Sequence, residues 1–174
     1  MEEDCMTLAL DNPGTAITMV QGKTLEPELS GAREFLLYKP DSYTHWSSSE
    51  EYKIDLINKQ IRSLCELPEK WDGEYARPIS EIAAKTAAMI AYVVSGDHAD
   101  LAQFFPTPNG GIQVEWFVDG NELEIEIDEN GNAYVTSVDN KGRILFEHEF
   151  RLREASILRK IEQEVERLSP KLLK

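Results

Sequence analysis

"GGIQVEWFVDGNELEIEIDENGNAYVTSVDNKGRILFEHEF", Gly110 to Phe150, is the stretch that decides the fold. Runs in which apolar and polar residues alternate are broken by three turn signals: Asp119-Gly120, Asn130-Gly131 and Asn140-Lys141-Gly142. The first two suit two-residue type I′ turns, whose central residues need positive φ. The third suits a three-residue loop with glycine in the left-handed position. Registers follow. The first turn sets Trp116 opposite Leu123, Val114 opposite Ile125 and Ile112 opposite Ile127. The second brings Tyr134 and Thr136 to the same face, opposite Ile127 and Ile125, and the third adds Ile144, Phe146 and Phe150. Strand side chains alternate with period two, so a slip of one residue would turn a whole strand over. The stretch therefore predicts a four-stranded antiparallel meander with one apolar face.

Working outward, "FFPTPNGG" (104–111) reads as a loop, forced by its prolines and glycines. Before it, "EIAAKTAAMIAYVVSG" (81–96) is apolar almost all round, with Ser80 as N-cap and Gly96 at the C′ position, which marks an interior helix. An earlier helix is marked by Ile54, Ile57, Ile61, Leu64 and Cys65, with Ser49 as N-cap and an end near Leu67-Pro68. A later one is marked by Leu158, Ile161, Val165 and Leu168, closed by Ser169-Pro170. Helices before and after a one-sided sheet predict a single α+β domain with the helices packed on one face. Residues 50–174 form its core. Residues 1–49, with short apolar pieces at 7–10, 16–20 and 35–38, read as an N-terminal arm or short strands.

A net charge of −14 disfavours direct binding to nucleic acid or anionic membrane and favours basic protein partners. The two cysteines, Cys5 and Cys65, form no CxxC, which suits a reducing compartment and speaks against zinc. The start Met1-Glu2-Glu3-Asp4 is acidic where a targeting peptide is basic, and no apolar run approaches the roughly 20 residues of a membrane span, so a cytoplasmic location is expected.

The same registers put Gln113, Glu115, Phe117, Glu122, Glu124, Glu126, Asp128, Val135, Ser137, Leu145, Glu147 and Glu149 on the far face. Glu115 faces Glu124, and like charges directly opposed destabilise a strand pair. Residues 86–140 hold ten carboxylates and no lysine or arginine, so nothing nearby in sequence neutralises them. One reading is a plain solvated face. The sharper one is a docking face for a basic protein, built from Glu115, Phe117, Glu122, Glu124, Glu126 and Asp128. A carboxylate pair or a bound divalent cation would instead suit a hydrolase of unfamiliar type. A homodimer through the sheet is a third reading.

The histidines add little. His98 in "GDHADL" has no second ligand at metal-binding spacing, His148 reads as a hydrogen-bonded core histidine, and His45 in "SYTHWSSSE" has no GxSxG elbow to serve. There is no Walker loop, GxGxxG, HExxH or EF-hand pattern, so no catalytic residue, metal or cofactor is assigned.

"LPEKWDGEYARPIS" (67–80) joins the first two helices. Asp72 suits an Asx-turn, Gly73 a positive φ, and Trp71 a buried anchor whose ring N–H meets a carbonyl, so Trp71→Ala is expected to unfold the chain. The alternative is a recognition loop in which Asp72 and Arg77 meet Glu115 and Trp116. With "PTPNGGIQVEW" (106–116), this segment resembles a group of short bacterial proteins that share Leu-x-x-x-Trp-Asp-Gly, Ala-x-Pro and Pro-Thr-Pro-x-Gly-Gly-Ile-x-x-Glu-Trp. Leu67, Trp71, Asp72, Gly73, Ala76, Pro78, residues 106–112, Glu115 and Trp116 match. No activity attaches to the group. Its members look like accessory proteins of phages and mobile elements, which implies an acidic inhibitor, antitoxin or defence-associated protein.

Overall fold

The computed structural model describes residues 7–9, 16–18 and 48–168. Two short strands, β1 (Thr7–Ala9) and β2 (Ala16–Thr18), pair antiparallel with Ala9 opposite Ala16. They fall within two of the apolar N-terminal pieces; the third, 35–38, lies outside the described residues.

Helix α1 (Ser48–Cys65) buries Ile57 and Ile61, and Ile54, Leu64 and Cys65 pack partly against the core. Helix α2 (Glu81–Val94) is capped as its sequence requires. The Ser80 hydroxyl accepts from the Ile82 and Ala83 N–H groups, and Gly96 follows with φ of 51°. Ala83, Ala84, Ala87 and Ala91 are fully buried, so the helix presents mostly methyl groups, which permit close approach. Helix α3 (Ala155–Leu168) buries Leu158, Ile161, Val165 and Leu168.

The sheet has five antiparallel strands, not four: β3 (Gln103–Pro106), β4 (Ile112–Val118), β5 (Asn121–Ile127), β6 (Ala133–Val138) and β7 (Ile144–Phe150), in that spatial order. The architecture is α+β. Helices α2 and α3 lie against β4 and β5, and α1 lies against α2 and β3. Ile112, Val114, Trp116, Leu123, Ile125, Ile127, Val135, Phe146 and Phe150 join the buried residues of all three helices in one hydrophobic cluster.

The first turn holds its expected register, with Asp119 and Gly120 at φ of 52° and 78° and Trp116 paired with Leu123. The second does not. The Asp128 N–H bonds to the Asn132 carbonyl, which leaves a three-residue loop with Gly131 at φ of 80°. The physical cause is Asp128, whose carboxylate accepts from the N–H groups of Asn130 and Asn132 and holds the loop open by one residue. The register moves with it: Ile127 pairs with Ala133 and Ile125 with Val135, so Tyr134 and Thr136 face outward while Val135 and Ser137 are buried.

The same loop recurs elsewhere. Asp139 accepts from Lys141 and Arg143 with Gly142 at φ of 74°, and the Thr107 hydroxyl accepts from Gly111 with Gly110 at φ of 84°. The Thr107 loop is why "FFPTPNGG" is a strand and a hairpin rather than a plain loop. On β7 a register shift beside Val138 leaves Ile144 61% exposed instead of inward, and edge placement leaves His148 exposed rather than in the core.

Candidate functional site

The outer face of the sheet can now be read row by row. One row runs Gln103, Glu115, Glu124, Thr136, Glu147, and the next runs Phe105, Gln113, Glu126, Tyr134, Glu149. A third runs Phe117, Glu122, Val138, Ile144. Six glutamates and no lysine or arginine occupy these positions.

Glu115, Glu122 and Glu124 come together, one oxygen of each within 4.8 Å of the others, and all three are half-buried. Gln113 donates to Glu115, and the Tyr134 hydroxyl donates to Glu147 at 2.9 Å. Burial of the Glu124 carboxyl, then the charges of Glu115, Glu122 and Glu126, push its pKa above the ordinary glutamate value. Around these acids the face is oily: Phe105, Phe117, Tyr134, Ile144 and Leu145, five of the eight exposed large hydrophobic residues among the described residues, lie on it.

A carboxyl with a raised folded pKa contributes its stability below its unfolded value, near 4.5, and that contribution is lost as pH rises through the folded value. Glu124→Gln should therefore stabilise the protein at pH 7 by a few tenths to about 1 kcal/mol, the scale of like-charge pairs across strands. The gain should shrink as pH falls toward 4.5. Urea midpoints at the two pH values test it, and a gain independent of pH would show that charge is not the cause.

Of the residues singled out in the sequence, Glu115, Phe117, Glu122, Glu124 and Glu126 share this face. Asp128 sits at its margin, with its carboxylate engaged by Asn130 and Asn132. Burial works to raise the Asp128 pKa, but hydrogen bonds from Asn132, Asn130 and Gly131 outweigh it and hold the pKa low. Gln103, Phe105, Tyr134 and Val138 belong to the face too, yet escaped the sequence reading because β3 and the second loop were misread. The signal was present: Thr107, Asp128 and Asp139 each stand three residues before a glycine.

The Trp71-Asp72-Gly73 segment lies elsewhere. Trp71 is half-buried and its ring N–H donates to the Arg77 carbonyl at 3.3 Å. Asp72 accepts from the Glu74 and Ala76 N–H groups at 2.8 and 3.0 Å, which hold its pKa low, and Gly73 has φ of 84°. Arg77 pairs with Glu129 at 2.7 Å, not Glu115, and Trp116 is fully buried. The Arg77 backbone N–H donates to the Pro108 carbonyl, while the Ser80 N–H and hydroxyl donate to the Gly110 and Glu129 carbonyls. The segment thus ties the start of α2 to the β3–β4 and β5–β6 loops.

No described helix is long and apolar enough to cross a membrane. No protein-family model, curated protein or solved structure matches the chain.

Proposed function

We propose that the protein is a non-enzymatic acidic interaction module whose outer sheet face receives a basic protein surface. The observation that carries this reading is the half-buried Glu115, Glu122 and Glu124 group, set among exposed aromatic and aliphatic side chains with no cation in the rows. Held together, the carboxylates repel one another. A lysine- or arginine-bearing surface placed over them would relieve that repulsion while Phe105, Phe117 and Tyr134 supply apolar contact. The resemblance to mobile-element proteins makes an inhibitor, antitoxin or defence or counter-defence role the biological setting we favour.

The double variant Glu124→Lys, Glu126→Lys should abolish salt-sensitive capture of basic proteins by the immobilised chain while its thermal unfolding stays cooperative. Undiminished capture at low salt would sink the reading.

A metal-dependent hydrolase is the second reading, favoured by the spacing of the same three carboxylates, which suits oxygen ligands around one divalent cation. Stoichiometric calcium, magnesium or manganese in protein purified without chelator, lost on Glu124→Gln, would move it ahead.

A further inference from the structure

The sheet has two edges, β3 and β7, and they are built differently. Strand β3 is four residues long and ends at Pro106, which has no N–H to offer. The Gln60 amide of α1 also donates to the Ala102 carbonyl just before it. Strand β7 is seven residues long and is bonded, among the described residues, to β6 alone.

Hydrogen-bonded pairs alternate along an antiparallel ladder. The bond from the Asp128 N–H to the Asn132 carbonyl sets the phase: Glu126–Tyr134 and Glu124–Thr136 exchange bonds between β5 and β6, which leaves Val135–His148 and Ser137–Phe146 to do so between β6 and β7. Glu147 and Glu149 therefore turn their N–H and C=O groups away from β6, while their side chains join the acidic outer face. On the inner side of the edge, His148 stacks along Phe146 with ring centroids 6.4 Å apart, and the Lys160 ammonium sits 3.7 Å from the Phe146 ring centre.

We propose that β7 accepts an extended basic segment of the partner as a sixth strand. The inference rests on the reading of the outer face as a basic-protein site and names how that partner engages. Charge selects the occupant. A strand with lysine or arginine at every second residue would set cations opposite Glu147 and Glu149, with apolar residues between them along Phe146 and His148. A second copy of β7 would instead bring the Glu147 and Glu149 rows of two molecules together, so the open edge disfavours self-pairing.

The test uses the full chain, 15N-labelled, and a short synthetic peptide in which lysine alternates with valine. A second peptide of the same sequence is N-methylated at its lysine amides, which keeps the charge and removes the donors that would meet the edge. The first peptide should bind and slow hydrogen exchange at the Glu147 and Glu149 amides. The methylated peptide should bind at least about tenfold more weakly, a loss of about 1.4 kcal/mol. Glu147→Pro, which removes an N–H that β6 does not use, should reproduce that loss with an unchanged circular dichroism spectrum, whereas Glu147→Gln should cost less.

Equal affinity for the two peptides overturns the sixth-strand proposal. If Glu124→Lys with Glu126→Lys then abolishes both, the acidic face still stands as the site. If neither peptide binds, the sixth strand is also ruled out, and capture of basic proteins by the same chain then decides the fate of the broader reading.

Discussion

Gly111→Ala should lower stability by at least about 3 kcal/mol, whereas Gly142→Ala should cost only about 1 kcal/mol, the strain of a left-handed non-glycine residue. The two glycines are demanded for different reasons. At Gly142 φ is 74° and no atom lies within 4 Å of an added Cβ, so alanine meets only backbone strain. At Gly111 an added Cβ would run into the Ile127 carbonyl oxygen of the paired strand and lie 2.7 Å from the Thr107 hydroxyl. That carbonyl belongs to the ladder in which Ile112 pairs with Ile127, and the hydroxyl accepts the Gly111 N–H at 3.1 Å. Neither can swing aside like the end of a long side chain. Relief requires β4 to separate from β5 or the β3–β4 loop to open, and both movements disturb the core. Urea midpoints of the two variants decide the matter; similar losses would show that close backbone approach at Gly111 is not what excludes a side chain.

Trp116→Ala should cost about 3–5 kcal/mol, and Trp71→Ala about half as much. Trp116 is fully buried on the inner face beside Leu123, so its removal leaves a cavity bounded by sheet and helices. Trp71 is only half-buried and its main polar contact is one bond to the Arg77 carbonyl, so water can fill the space it leaves. The sequence suggested that Trp71→Ala would unfold the chain; the burial pattern moves that role to Trp116. Unfolding curves for the two variants at one temperature measure the difference, and a larger loss at Trp71 would reverse the assignment.

Much of the fold is legible locally. The cap at Ser80, the stripe Leu158, Ile161, Val165, Leu168, and the Asp119-Gly120 turn with its Trp116–Leu123 register are each decided by neighbours a few residues away. The acidic rows of β4 and β5 follow from that same turn, which is why Glu115 opposite Glu124 could be foreseen. The inversion of β6 has a single local source. Asn130-Gly131 satisfies a two-residue turn by identity, but the Asp128 carboxylate lengthens the loop by one residue and inverts β6.

The sequence by itself determined the three helices, the hairpin order from β4 to β7 and the acidic rows of β4 and β5, because periodicity, caps and most turns are encoded within a few residues. Tertiary structure alone decided that Glu122 joins Glu115 and Glu124, that Arg77 answers Glu129, and that the short β3 ending at Pro106 and the longer β7, bonded among the described residues to β6 alone, form the two sheet edges. These depend on which distant backbone or side chain arrives alongside, and that is set by packing of the whole layer rather than by any local run of residues.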